Sequence, residues 1–533
     1  MCFRSKLFLY LFRQIQFMNK LLFVFLISIF SQVLKAQLTY NDVAGVFYTR
    51  CATCHNSNGM APFPLTSFDE TAPYVSSIAN ALQNNRMPPW LPDTLYSRHT
   101  NEKIITQSEK NAILNWITNG YPQGDTTLAP PAPVFGTYKL SGTPDLIIKI
   151  PSFAINSTST QDAYDIFAIP MNLPSDKIVK AIEVVPNNRQ AVHHIVVTAD
   201  TTGTMVSDLS GNAYGSVGQI GLSGSLAQPV IYPNAPPLKT GVHLPNQSQL
   251  IVQMHYSEGF AGVVDSTEFR FYFYPDGEPN IREMYIMIPL QNWYFWINAE
   301  ETKTIVVDTA LYDNFDISLF SALPHSHRIC TKVLNYAYNP SGDTIPLLRI
   351  NNWDFHWQDY YFYKNLVKIP IGYRYHGIHE FANTSTNPNN PFNPPQWIPV
   401  GLTSNDEMFF DAFQFLVYYP GDENINVDSI VNNDPLWVTS THELPLLNKY
   451  SYSFAYPNPS LNTTTIQLVG EFDLTKKSIL KIVDEHGRQV NPKVTKNSNS
   501  FEVNLTGLKS GIYYYQVLAG DKVISNGKLL KIE

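Results

Sequence analysis

Residues 180–200 read KAIEVVPNNRQAVHHIVVTAD. Two runs, KAIEVVP and HHIVVTAD, are rich in β-branched residues and are parted by Pro and Asn. Short alternating runs bounded by Pro, Asn, Gly and Asp are the pattern of antiparallel strands. The same texture recurs in QLIVQMHYS (249–257) and FRFYFYP (269–275), and it holds from about residue 140 to 440. That length calls for two antiparallel β-sandwiches, jelly-roll-like, expected over 141–288 and 289–445.

Outward from there the texture changes twice. LTYNDVAGVFYTRC, FDETAPYVSSIANALQNN and ITQSEKNAILNWITNG carry apolar residues at helical spacing, so 37–127 is expected to be a small all-α domain, with Asp69 or Ser108 as caps. The Pro-rich LAPPAPVFG begins a linker, 128–140. Residues 450–533 return to short strands, TTIQLVG, SILKIVDEHG, SFEVNL and GIYYYQVLAG, as expected of a small Ig-like β-sandwich.

The chain has 533 residues, a formal charge of −8 and only 15% charged residues. No basic block points to nucleic acid. From Met18, MNKLLFVFLISIFSQVLKAQ has a basic start at Lys20, an apolar run Leu21–Phe30 and a cleavage position after Ala36. Residues 1–36 therefore read as a signal peptide with Met18 as its start; an uncleaved anchor is the competing reading. The four cysteines are Cys2, Cys51, Cys54 and Cys330, which offer no disulfide framework to the β region. Cys330 reads as a small buried apolar residue.

CATCH (51–55) has the C-x-x-C-H spacing of covalent c-type haem attachment, Cys51 and Cys54 bonding the haem and His55 supplying the axial nitrogen. A zinc half-site lacks its second Cys pair, and a thioredoxin-like pair lacks its βαβ context. The segment resembles cytochrome c domains in which CxxCH is followed by APFPL, here Ala61–Leu65, and by MPPW, here Met87–Trp90. The resemblance implies Met87 as the second axial ligand. Met60 is too close to His55, and His99 is the alternative. A Met/His haem is an electron carrier.

In the β region His193 and His194 adjoin, His255 stands in IVQMHYSEG, His325 and His327 form H-x-H in SALPHSHRIC, and Met408 follows an acidic turn in TSNDEMFFDAF. On a strand, i and i+2 share a face, so His325 and His327 could clamp one ion. Adjacent histidines diverge unless the strand bulges. Read singly, each could equally be a core or surface residue.

Order and wording together resemble the copper type II, ascorbate-dependent monooxygenases, the family of peptidylglycine α-hydroxylating monooxygenase and dopamine β-monooxygenase. Further likeness lies in NNWDFHWQDYYFYKNLVKIPIGYR (351–374) and NPPQWIPVGLTSNDEM (393–408). The resemblance implies two copper ions per chain, one on His193, His194 and His255, the other on His325, His327 and Met408. Three imidazoles suit an electron-storing copper, and two imidazoles with a thioether favour Cu(I), which meets O2. The implied activity is hydroxylation of a C–H bond of a small organic substrate, with ascorbate or a redox protein as donor. The peptide-amidating members hold a carboxylate with an Arg two residues before H-x-H, where this chain has Leu323, and with an Asn and a Tyr beyond the Met, where it has Phe410 and Ala412. A less polar substrate is therefore expected. His243, His356, His376, His379 and His442 read as ordinary hydrogen-bonded histidines, with a supporting role at the site open for His376 and His379.

The YPNP opening (456–459), the VDEHGR turn, GIYYYQV and the closing KLLKI resemble the C-terminal sorting domain of type IX secretion. That resemblance implies passage through the periplasm to the cell surface or medium. The reading competing with an enzyme is a surface copper and haem protein that only transfers electrons or binds metal.

Overall fold

The computed structural model describes residues 37–213, 220–222, 228–310 and 314–437, and, towards the C-terminus, 452–456, 458–469, 478–484, 488–497, 500–519 and 522–532. The expected signal peptide with Met18 and Cys2, His442, residues 485–487 of the VDEHGR turn and the end of the second sandwich lie outside the described residues. Among the described residues no helix is long and apolar enough to cross a membrane.

The fold is β-rich and multidomain. Residues 44–110 and 130–448 belong to one compact unit; the rest belong to a second. In the first sandwich a seven-stranded sheet runs Leu146–Lys149, Glu268–Phe273, Lys177–Val185, Leu238–Leu244, Arg282–Glu283, with Val230–Ile231 and Asn234–Ala235 at its side. Facing it is a four-stranded sheet, Ala163–Pro170, Gln249–Tyr256, Val192–Asp200, Ile220–Leu222. Glu268–Phe273 is buried along its whole length, as a central strand of aromatics must be. Its Arg270 is tolerated there because Glu183 and Glu268 lie 3.6 and 3.4 Å away and Tyr138 stacks on the guanidinium at 3.8 Å.

The second sandwich pairs two four-stranded sheets. One runs Tyr285–Asn292, Phe409–Val417, Ile317–His325, Tyr361–Ile369; the other runs Glu301–Ala310, Arg374–Asn383, Cys330–Tyr338, Thr344–Ile350. Strict alternation of buried and half-buried residues along Arg374–Asn383 turns Tyr375, His379 and Phe381 inward. Cys330 is 2% exposed and packs in this core, without a partner thiol.

The two sandwiches share apolar contacts. Phe320, Leu366 and Leu416 of the second join the core of the first, where Phe320 meets Tyr232 at 6.1 Å. Each such side chain contributes roughly 1.5–3 kcal/mol through burial.

Residues 40–118 carry the helices, Tyr40–Val46 running into a π-turn at Phe47–Cys51, then Phe68–Thr71, Val75–Gln83 and Gln107–Thr118. The caps differ from the expected Asp69 and Ser108. Ser67 accepts from Glu70 N at 3.2 Å. Thr106 and Glu109 cap reciprocally at 3.2 and 2.6 Å. Residues 84–106 are irregular, built of turns with isolated bridges at Pro92 and His99, rather than helical. They pair with the second sandwich at Pro92–Ile350 and His99–Tyr363, and Arg349 holds Asp93 at 2.8 Å.

In the smaller unit, residues 452–532 form two four-stranded sheets around Ile466, Val503, Tyr515 and Val517.

Candidate metal centres

The first cluster sits where two strands of the four-stranded sheet part. His194 faces His255 in register, but the next pair is Val192 with Tyr256. His193 is the extra residue, so the ladder bulges at the adjacent pair. The bulge swings His193 back beside His194. Nδ1 of His194 then lies 3.1 Å from Nδ1 of His193 and 3.1 Å from Nδ1 of His255. Nitrogens bound about 2 Å from one ion stand roughly 3.3 Å apart, so this spacing fits a shared ion. His255 Nε2 is 2.9 Å from an Asp162 carboxylate oxygen. That contact fixes the Nε2–H tautomer and leaves the Nδ1 lone pair facing the centre. Burial is the largest influence on Asp162 and works against its ionisation, but His255, the Glu258 N–H and His193 together lower its pKa.

The second cluster departs from the expected geometry. The strand ends at His325, and Ser326 and His327 turn off the sheet. The buried carboxylate of Glu407 stops the strand by accepting from His327 N at 3.0 Å, Ile329 N at 2.7 Å and Met408 N at 3.2 Å. The two rings stand 5.2 Å apart at 87°, rather than stacked along one strand face. His325 Nδ1 donates to Gln358 Oε1 at 2.6 Å, and His327 Nδ1 donates to Asp406 O at 3.1 Å. Both therefore offer Nε2. Ser326 Oγ donates to Met408 O at 2.6 Å, which sets Met408 beside the pair.

One cavity of about 300 Å3 joins the clusters, lined by His194 on one side and by His325, His327 and Met408 on the other. Its remaining wall is mostly apolar or aromatic and includes Trp293, Leu323, Phe355, Leu402 and Phe410. Among the described residues no lysine or arginine lines it. Burial, then neighbouring imidazoles, lowers His193 and His327 to about 3. Burial lowers His325 to about 4 and sends His194 well below its ordinary value. All are neutral at pH 7, the form that binds a metal.

In the CATCH segment, burial lowers His55, and its Nδ1 donates to Phe63 O at 2.9 Å. This leaves Nε2 for an axial bond, the arrangement a c-type haem needs. Cys51 closes the π-turn, and both thiols are unpaired. Burial, with Glu109 and Cys54 nearby, raises the Cys51 thiol to about 12. Met87 is half-buried just beyond the helix Val75–Gln83. Met60 packs against the first sandwich. His99 is 1% exposed and stacks on Tyr363 at 5.3 Å.

Several supporting residues were not singled out by sequence reasoning: Asp162, Glu407, Asp411 and Gln358. Asp411 bridges His379 Nε2 at 3.0 Å to His325 N at 3.3 Å. His356 meets His193 ring to ring at 5.4 Å. Glu407 and Asp411 had one available signal, their closeness to Met408 in sequence; Asp162 and Gln358 stand far from every ligand motif. His376 bonds Asp308 at 2.9 Å, and His243 lies 3.4 Å from Asp176; neither lines the cavity.

Residues 455–531 match the family of secretion system C-terminal sorting domains. This domain engages the type IX secretion machinery, and it indicates export to the cell surface or the medium. No curated protein matches the chain. Among solved structures the chain is similar to a VP2 subviral particle of infectious bursal disease virus, at 10% identity over 55% of this chain and 77% of that one, TM-score 0.15. It is also similar to a β-glucuronidase from Ruminococcus gnavus, at 10% identity over 44% and 35%, TM-score 0.11.

Proposed function

We propose that the chain is an exported copper-dependent monooxygenase that hydroxylates a C–H bond of a small apolar or aromatic molecule with O2. The observation that carries this reading is the convergence of His194 with His325, His327 and Met408 on one apolar cavity. His193, His194 and His255 would hold one copper; His325, His327 and Met408 would hold the other. Copper there supplies one-electron redox chemistry and O2 activation. The chain's own part is to orient donors, exclude water and select substrate. Gln358, Asp406 and Asp162 fix the tautomers. Leu323 and Phe410 replace polar anchoring with apolar contact, and a wall without cations disfavours carboxylate substrates.

Cys51, Cys54, His55 and Met87 would hold a c-type haem, which supplies electron carriage. Contact between its segment and the second sandwich supports a relay. Trp90, three residues from Met87, meets the Tyr361 ring at 5.5 Å. Tyr361 Oη donates to Trp357 O at 3.3 Å, next to Gln358. Ascorbate or a redox protein is the outer donor.

Metal and haem content of the exported full-length protein tests this first. We expect two coppers and one haem per chain, with one copper lost in Met408→Ala or His325→Ala. O2 uptake with reductant should rise when apolar aromatic substrates are screened. Metal content without O2 uptake would make the chain an electron-transfer or metal-binding protein. Absence of copper would overturn the reading.

A further inference from the structure

The loop 351–360 of the second sandwich touches both histidine clusters. Trp353 Nε1 donates to His327 O at 3.0 Å, and Trp353 N donates to Thr331 O at 2.8 Å. Gln358 accepts from His325 and donates through Nε2 to Phe355 O at 2.8 Å. The loop is therefore tied down on both sides of His356. There the side chain is 57% exposed, yet its ring meets His193 of the other sandwich edge-on, at 5.4 Å and 76°. Asp354 accepts from His356 N at 3.0 Å and from its Nδ1 at 2.9 Å. This is the same device that Asp162 applies to His255, with the opposite ring nitrogen pinned. It leaves the His356 Nε2 lone pair available. The Nδ1 atoms of His193, His194 and His255 converge and could supply three donors to one ion.

We infer that His356 is a fourth, interdomain ligand of the first metal site, brought by the loop that also positions His325 and His327. The inference rests on the reading that His193, His194 and His255 bind copper. Four imidazoles suit Cu(II), which favours tetragonal nitrogen coordination. Asp354 is then a positioning residue. Ligation would fasten the first sandwich to the second.

The test uses full-length protein loaded with Cu(II), and compares wild type, His194→Ala, His356→Ala and His356→Gln. Electron paramagnetic resonance counts the coordinating nitrogens, and a competing chelator measures affinity. We expect both His356 variants to lose one nitrogen from the first-site signal. We also expect first-site affinity to fall tenfold or more and copper to raise the unfolding temperature less than in wild type. Retention of the second copper shows that the variants are folded. Spectra and affinities equal to wild type in both variants would overturn the fourth ligand alone. A wild-type spectrum unchanged by His194→Ala would overturn the first site and the inference with it.

Discussion

Glu407 shows how one carboxylate can shape a site without entering it. It is fully buried and accepts from three backbone N–H groups that no strand partner serves. Burial raises its pKa to about 7, against the pull of those same donors. Replacing Glu407 by Ala leaves three buried donors unsatisfied, each costing about 1–3 kcal/mol. We expect Glu407→Ala to lose at least about 3 kcal/mol of stability and the second copper, while the first copper stays. Denaturant titration and metal analysis check both. Glu407→Gln keeps one acceptor and should lose less. Asp162→Asn tests the other cluster: without a carboxylate behind His255, first-site copper affinity should drop about 10–100-fold, read by chelator competition.

At the scale of elements, close approach of strands sets what can change. Gly241 lies on Leu238–Leu244 against Lys177–Val185, and a Cβ there would sit 2.3 Å from the Val179 carbonyl oxygen. Backbone cannot yield as a side chain can. Gly241→Ala is therefore expected to cost about 1–3 kcal/mol, seen as a lower unfolding temperature with copper content unchanged at room temperature. The bulge at His193 is an irregularity of the opposite kind: in a regular strand His193 and His194 would point to opposite faces.

At the scale of the molecule, the two sandwiches are pinned by Arg282, which grips Asp422 through both carboxylate oxygens at 2.7 Å. Ser318 Oγ and Tyr419 N add donors at 2.7 and 3.0 Å. Burial alone would raise the Asp422 pKa, but Arg282 and these donors together hold it low. A depressed carboxylate contributes stability that is complete above its unfolded pKa of about 3.9 and is lost as pH falls through the lower folded value. We expect Asp422→Ala to cost about 1.5–3 kcal/mol at pH 7, since the half-buried guanidinium of Arg282 loses its two-pronged charged partner and keeps only Val417 O and the Tyr419 ring. Its stability should also fall less steeply than wild type below about pH 4. Unfolding curves at pH 7, 5, 4 and 3 decide this.

Much was legible in the sequence because it is local. Alternation along KAIEVVP and HHIVVTAD specifies strands, helical spacing specifies Tyr40–Val46 and Gln107–Thr118, and the sorting domain announces itself in YPNP and KLLKI. The need for a bulge at His193 also followed from strand geometry alone. What the chain order could not decide is long-range. Glu407 is 80 residues from His327, and Asp162 is far from His255 in sequence. His356 meets His193 only because the two sandwiches touch. Composition and periodicity specify which residues are strands and which are buried, since those depend on neighbours along the chain. Which imidazole nitrogen faces a centre, which carboxylate stands behind it and where H-x-H leaves its strand depend on packing between strands distant in sequence, and only the tertiary structure decides them.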